Sequence, residues 1–357
     1  MRILYVTRHF NHSGYLILKR LVEEQFNIVG VLFHDDDDPL RDDLYRETYT
    51  QDYFKLSAQY GFEPLKTLES EEAFAKSNGL NCLYFKSIKS DAFYNALQDL
   101  GPDIIVLGGG WHELLPERVY SYPRLGCINT HPSLLPEFRG TSITRWQIKY
   151  GVRQSGSSIH YVNDMFDTGA VLAQKKIVLG DYHTVTPQEL FYKLGALGAS
   201  MMPELLRRID EAQAILPTLS VSHNEAYYSY FKKWTWNEDQ LIVDWTRPLR
   251  NIHYFILSCT QEDYKYLGPI FYINKTKYFI RKTKLHPKDV MSIEVKGSGL
   301  VYVELPNGNV GLTSEVSDDV LELVQIQVYA NSLKHEHIAF NPSEMLNPLL
   351  NTPFTNE

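Results

Sequence analysis

Along the first part of the chain, short uninterrupted apolar runs alternate with stretches in which apolar residues recur every three or four positions. Residues 1–7 (MRILYVT) and 26–33 (FNIVGVLF) are runs of the first kind, and residues 14–25 between them are of the second. A strand that is apolar on both faces needs cover on both, so the pattern predicts a strand–helix–strand unit of a parallel sheet. Further helices are expected over 52–60 and 90–100, and a further strand over 103–107 (DIIVL) that runs into Gly108, Gly109 and Gly110. Beyond it the periodicity predicts strands at 127–130, 157–162 and 170–178, and helices over 141–150 and 187–212, the second capped by Thr186. The fold class expected is α/β, with a doubly wound, mainly parallel, Rossmann-like sheet. Ligands of such sheets sit beyond the carboxyl ends of the strands, so the glycine turn after 103–107 marks the mouth of a site.

The pattern changes after residue 215. Residues 222–238 are polar and aromatic without a clear period, which makes 216–240 the expected linker. A helix over 248–257 and short strands at 269–273, 277–283, 290–295, 299–305 and 310–312 follow, separated by turns such as Pro306-Asn307-Gly308. Short strands at that spacing predict a small, OB-like β-barrel over 241–335. The last segment, 336–357, carries Pro342, Pro348 and Pro353 and is expected to be irregular. A main domain over 1–215 with a smaller appended one also suits 357 residues, more than one core usually serves.

Hydrophobic residues at 44% and charged residues at 22% are those of a soluble protein, and no apolar run approaches the twenty residues of a membrane span. The opening lacks a signal-peptide pattern, so a cytoplasmic protein is expected. Cys82, Cys127 and Cys259 form no CxxC pair, which predicts reduced thiols with neither a disulfide nor a zinc site. A net charge of −8 offers no general attraction to a polyanion, so a nucleic-acid partner is not expected. The acidic run from His34 to Asp38, with Arg41-Asp42-Asp43 after it, reads as a solvated loop, because adjacent aspartates repel and lack alternating ligand spacing. Gly108 to Gly110 lack the third glycine of GxGxxG and any GK[ST], so they are expected to admit a ligand or backbone rather than a nucleotide cofactor.

Three residues carry candidate chemistry. Asn129 and His131 are separated by one residue, so on a strand they face the same side while Thr130 turns away. Asp167 stands in the loop Asn163-Asp164-Met165-Phe166-Asp167-Thr168-Gly169 between two expected strands. The stretch NTHPSLLP from Asn129, followed by FDTG with Asp167 36 residues after His131, resembles the formyltransferases that use 10-formyltetrahydrofolate. That family includes glycinamide ribonucleotide, methionyl-tRNA and sugar-nucleotide N-formyltransferases. The resemblance extends to Val243-Asp244-Trp245-Thr246-Arg247-Pro248, similar to the segment that opens the small barrel of the tRNA enzymes. It implies formyl transfer from the folate carrier to an amine without a metal, with Asn129, His131 and Asp167 as catalytic groups. Such chemistry needs donors for the developing oxyanion and a group that moves the proton of the amine. In this scheme Asp167 orients the His131 ring and raises its pKa.

By the same resemblance the pterin lies against the turn formed by Gly110, Trp111, His112, Glu113, Leu114 and Leu115, and against Asn163, Asp164 and Asp167. His112 and Glu113 are chain neighbours that point apart, so no metal is assigned to them. For the acceptor, Arg139, Gly140 and Thr141 are candidates because an arginine at a loop entering a helix can grip an anion, and His160 is a strand candidate. The aromatic residues Tyr227, Tyr228, Tyr230, Phe231, Trp234 and Trp236 either stack on a base or pack between domains. The tRNA enzymes are expected to show Gly-Thr-x-x-Phe after the first strand, where this chain has Val6-Thr7-Arg8-His9-Phe10, and the early Gly-Ser phosphate loop of the purine enzymes is also missing. The expected acceptor is therefore an amino sugar carried on a nucleoside diphosphate, as used in surface polysaccharides, and a homodimer is left open. The competing readings are a tRNA-type enzyme, a non-catalytic folate-binding protein, and a hydrolase that passes the formyl group to water. The hydrolase is expected to carry an added regulatory domain, and none precedes Met1.

Overall fold

The structure, a computed structural model, describes residues 1–8, 11–35, 70–109, 111, 113–220, 227–234, 238–259, 269–273, 276–328, 339–340, 346, 349–351 and 353–354. The expected helix over 52–60, residues 36–38 and 41–43 of the expected solvated loop, His9, Phe10, Gly110, His112, Trp236 and most of 336–357 lie outside the described residues. The chain forms two compact units, the first made of Met1–Ile143, Ser155–Ile177 and Glu189–Lys232, the second of Thr144–Gln154, Val178–Gln188 and Lys233–Glu357. The second unit thus takes in two segments that precede residue 215.

The first unit contains β1 (Arg2–Thr7), α1 (His12–Glu23), β2 (Asn27–His34), α2 (Glu71–Ser77), β3 (Cys82–Phe85), α3 (Asp91–Leu100) and β4 (Ile104–Leu107). These are followed by α4 (Glu117–Tyr120), β5 (Cys127–His131), β6 (Arg139–Gly140), then α5 (Ile143–Lys149), which apart from Ile143 belongs to the second unit, and β7 (Gln154–Tyr161), β8 (Val171–Val178), α6 (Pro187–Ala212) and β9 (Tyr230–Phe231). Its seven-stranded sheet has the order β3-β2-β1-β4-β5-β7-β8, parallel from β3 to β5, with β7 antiparallel to β5. The alternation of apolar strand and amphipathic helix thus produces the doubly wound sheet that it predicts. Ile3, Leu4, Tyr5, Val6, Ile104, Ile105 and Val106 are fully buried, as central strands covered on both faces require. Helix starts follow the local chemistry: Asn11 accepts from the Gly14 N–H at 3.1 Å, and Ser90 from the Phe93 N–H at 3.1 Å. Gly101, at φ +51°, closes α3 in the left-handed conformation. Gly108 serves backbone approach: a Cβ there would stand 1.9 Å from the Tyr5 hydroxyl, which itself donates to the Gly14 carbonyl at 2.6 Å.

The second unit holds α7 (Leu249–Ser258), β10 (Ile270–Ile273), β11 (Thr276–Pro287), α8 (Lys288–Met291), β12 (Val301–Glu304), β13 (Val310–Thr313), β14 (Asp319–Val328) and β15 (Ala339–Phe340). The small all-β module is an antiparallel sheet of order β10-β11-β14-β13-β12, with β15 on β14. Leu249, Ile252 and Ile256 of α7 share its core with Phe271, Ile280, Leu321 and Leu323. The strand expected at 290–295 does not form. A turn of helix ends at Met291 and Ser292 is left-handed at φ +51°, so the chain leaves extended geometry there. Conversely β14, which pairs both β11 and β13, is absent from the expected set. Among the described residues no helix is long and apolar enough to cross a membrane.

Candidate functional site

The antiparallel pairing of β5 and β7 sets Asn129 opposite His160 and His131 opposite Ser158. Opposed residues of paired strands share a face, so one short stretch of sheet presents an amide and two imidazoles together. Asp167 arrives from the loop after β7, with a backbone φ of +55° that non-glycine residues rarely adopt. Its Oδ1 lies 3.4 Å from His131 Nδ1, 3.5 Å from Asn129 Nδ2 and 3.6 Å from His160 Nε2. Its Oδ2 accepts the Gly140 N–H at 2.9 Å. All three approaches to Oδ1 exceed the usual hydrogen-bond length, whereas the backbone bond to Oδ2 does not.

The ring protons follow from the partners. His131 Nε2 stands 2.8 Å from the Phe138 carbonyl, an acceptor only, so Nε2 carries the proton. The Nδ1 lone pair of the neutral ring then faces the Asp167 carboxylate. His160 Nδ1 donates to the Tyr161 carbonyl at 2.8 Å, which leaves Nε2 to accept from Asn129 Nδ2 at 3.2 Å. Burial lowers the His131 pKa from 6.5 and outweighs the upward pull of the Asp167 charge. The expected raising of that pKa by Asp167 is present but loses to desolvation, because His131 is only 4% exposed. Burial alone would raise the Asp167 carboxyl, yet His131, His160 and the Gly140 N–H together hold it at about 2. At neutral pH the pair is therefore a carboxylate beside a neutral imidazole.

Several groups outside the trio fix this geometry. Asn163 Oδ1 accepts from the Met165 N–H at 3.2 Å and from Thr168 Oγ1 at 2.8 Å, which folds the loop that carries Asp167. A Cβ on Gly169 would stand 1.7 Å from the Tyr161 carbonyl, and one on Gly140, at φ +107°, would stand 2.2 Å from the Phe231 carbonyl. Ser158 Oγ donates to the Ser133 carbonyl at 2.6 Å and accepts the Leu135 N–H at 3.0 Å, while Gln174 donates to the Leu135 carbonyl at 3.0 Å. These bonds pin the loop after His131. Nothing in the local sequence marks Phe138, Ser158 or Gln174 as parts of the site, since their roles come from pairing across the sheet.

The other expected site residues divide. His160 is 2% exposed, and its Nε2 accepts from Asn129 and lies 3.6 Å from Asp167 Oδ1, so the structure groups it with the trio. Arg139 and Gly140 form β6, paired with Tyr230 and Phe231 of β9, and the Thr141 N–H donates to the Phe231 carbonyl at 2.9 Å. The Trp111 ring meets His34 edge-on at 5.4 Å. The Glu113 carboxylate accepts from Ser87 Oγ at 2.8 Å and from the Ile88 N–H at 2.9 Å, so it is turned to its own supporting loop. Leu115 is buried in the core beside Leu107, Leu114 is half-buried and Asp164 is exposed. Of the aromatic set, Tyr227 and Phe231 stack on either side of Phe138 at 4.8 and 5.0 Å, and Trp234 packs on Trp146 at 4.8 Å in the second unit. Tyr228 and Tyr230 stay exposed. Among the described residues no group of three His, Cys, Asp or Glu side chains is arranged to hold a metal.

The formyl transferase family model matches residues 27–206, half of the chain. The methionyl-tRNA formyltransferase of Acetivibrio thermocellus is 30% identical over 180 residues, covering 50% of this chain, and the match spans 55% of the length of that enzyme. The methionyl-tRNA formyltransferase of Syntrophomonas wolfei is 24% identical over 328 residues, covering 92% of this chain and 91% of that one. Among solved structures, an N-formyltransferase from Helicobacter canadensis in complex with folinic acid and dTDP-3-aminofucose superposes with a TM-score of 0.59. It is 16% identical and covers 90% of this chain and 99% of its own, a likeness of fold.

Proposed function

Because the chain belongs to the formyl transferase family, we propose that it moves the formyl group of 10-formyltetrahydrofolate onto a primary amine at the cluster of Asn129, His131 and Asp167. The observation that carries this reading is the convergence of His131 and Asn129 on Asp167 Oδ1 at 3.4 and 3.5 Å. Two acceptors, the His131 Nδ1 lone pair and the Asp167 carboxylate, face each other across that gap. Such a pair receives a proton donor favourably, and an attacking amine must shed a proton. In the proposed step the amine nitrogen bonds to the formyl carbon while an Asn129 N–H stabilises the developing oxyanion. His131 Nδ1 takes the amine proton, and the Asp167 carboxylate stabilises the resulting imidazolium. His131 then returns the proton to the departing carrier nitrogen as its bond to carbon breaks, so bonds and protons balance. When bound, the carrier supplies the formyl carbon. Its pterin is placed against 111–115 and 163–167, met mainly by backbone groups, because the Glu113 and Asn163 side chains are already engaged within the protein.

The proposed acceptor is an amino sugar linked to a nucleoside diphosphate. A net charge of −8 supports a small substrate over a polyanion. The second reading, an aminoacyl-tRNA acceptor, is favoured by the curated relatives, which are methionyl-tRNA formyltransferases. The test is incubation with the formylated folate and panels of nucleotide-linked amino sugars, charged tRNA and glycinamide ribonucleotide, following release of the free folate. Turnover with amino sugars is expected. Turnover with charged tRNA alone overturns the sugar acceptor, and formate release without an amine overturns amine transfer.

A further inference from the structure

Three aromatic side chains remain at the surface beside this cluster: Phe166 is 39% exposed, Tyr228 47% and Tyr230 44%. Scattered exposed aromatics need no explanation, but two of these adjoin each other and the third lies under a cation. The rings of Phe166 and Tyr230 have centroids 6.3 Å apart and planes at 34°, and the Arg139 guanidinium stands 5.0 Å over the Tyr228 ring. Arg139 is also the direct partner of Tyr230 in the pairing of β6 with β9. The patch is tied closely to the reacting carboxylate. Phe166 precedes Asp167 in the chain, and Arg139 precedes Gly140, whose N–H binds Asp167 Oδ2.

The ribbon beneath the patch has separate support. Phe138, Tyr227 and Phe231 form their own stack, so Tyr228 and Tyr230 are not needed to hold β9 in place. One further group is left over. The Arg139 Nε–H is buried and has no hydrogen-bond partner among the described residues, an unusual state for a donor and one that an incoming anion relieves. Exposed rings with a guanidinium over one of them suit a ligand that joins a planar ring to an anion.

We propose that Phe166, Tyr228 and Tyr230 are the stacking platform for the nucleobase of the acceptor, with Arg139 holding its phosphates. The inference rests on the sugar-nucleotide reading of the acceptor and locates the part of the substrate that does not react. It is tested first by equilibrium binding, without folate or turnover. Calorimetric titrations with thymidine, uridine, guanosine and adenosine diphosphates, and with inorganic pyrophosphate, are run on the wild-type chain and on Phe166→Ala, Tyr230→Ala, Tyr230→Trp and Arg139→Lys. At least one nucleoside diphosphate is expected to bind more tightly than pyrophosphate. Phe166→Ala and Tyr230→Ala should each weaken that binding by about tenfold, within the usual range for base–aromatic stacking. Tyr230→Trp should retain it, and Arg139→Lys should weaken both the diphosphates and pyrophosphate. Melting curves check that the alanine variants fold. In turnover, Tyr230→Ala should raise KM for the sugar nucleotide more than it lowers kcat.

Equal affinity for pyrophosphate and nucleoside diphosphates, or a Tyr230→Ala affinity like that of the wild type, overturns the platform. Binding of charged tRNA with no nucleoside diphosphate binding overturns it as well. If no amino sugar is formylated while Tyr230-dependent nucleotide binding persists, the acceptor reading fails and the platform stands, so the two failures are distinguishable.

Discussion

Each unit buries carboxylates, and the two treat them differently. In the second unit Glu322, 3% exposed, accepts from His286 Nε2 at 2.6 Å, from Asn307 Nδ2 at 3.1 Å and from Asn309. Asp319 beside it takes Arg250 at 3.1 Å and the Tyr182 hydroxyl at 3.0 Å. Both are closed at ordinary bonding distance. In the first unit Asp167 is closed on one side only: Oδ2 is bound at 2.9 Å while Oδ1 keeps three partners at 3.4 to 3.6 Å. Burial disfavours all such charges, but full pairing repays it in structure, whereas loose pairing leaves a place for a reacting group. The Pro306-Asn307-Gly308 turn clamped on Glu322 is therefore a structural device, whereas the gap at Asp167 is where the proposed reaction is placed.

The contrast is broken most strongly from the structural side. Glu322→Ala strands His286, Asn307 and Asn309, and a loss of about 3–5 kcal/mol is expected in chemical denaturation. Turnover per folded molecule is expected to persist; a stable Glu322→Ala chain without turnover would sink the distinction. On the chemical side, Asn129→Ala is expected to lower kcat about 10²–10³-fold in steady-state assays. Its melting temperature should move little, and a collapse of the fold would assign Asn129 to structure instead.

Acid sharpens the comparison. His253 in the second unit is fully buried and its pKa is pushed down by burial to about 4. Its folded pKa lies below its unfolded 6.5, so its contribution is fully present above pH 6.5 and is lost as pH falls toward 4. That loss amounts to roughly 3 kcal/mol. His253→Gln should flatten the corresponding part of a stability–pH curve measured by denaturation. Replacing Gly140 is next: Gly140→Ala meets the Phe231 carbonyl and a left-handed backbone, which costs about 1–3 kcal/mol of strain. Because the same residue donates to Asp167, kcat is expected to fall too. The smallest effect is kinetic: kcat/KM should decline on the acid side below pH 6.5 as His131 protonates, with a midpoint under its ordinary value. A midpoint above 6.5 would mean that the Asp167 charge outweighs burial.

The alternating pattern made the first sheet legible because strands such as 103–107 are apolar on both faces and nothing else suits such runs. Asn129 and His131 were legible as a pair, since strand geometry alone puts them on one side. His160 was legible only as a strand histidine. Its place opposite Asn129 depends on the antiparallel turn of β7, which local spacing does not encode. The two-residue pairing of β6 with β9 is too short to leave a periodic signal, and it is what brings Arg139 beside Tyr230. In the second unit β14 escaped because Glu322 and Gln325 break an otherwise apolar run, and Glu322 is admitted to the interior only by its three partners. Conversely 290–295 has strand-like residues, but Ser292 turns the backbone aside.

The two glycines that flank the Asp167 carboxylate bear on how such a protein diversifies. At Gly140 and Gly169 a carbonyl oxygen occupies the volume of any side chain, so a substitution at either would have to move the surrounding backbone. Phe166, Tyr228 and Tyr230 face solvent and carry no such constraint. On the proposed reading, exchanging these surface rings would change which acceptor is held while the backbone frame around Asp167 stays as it is.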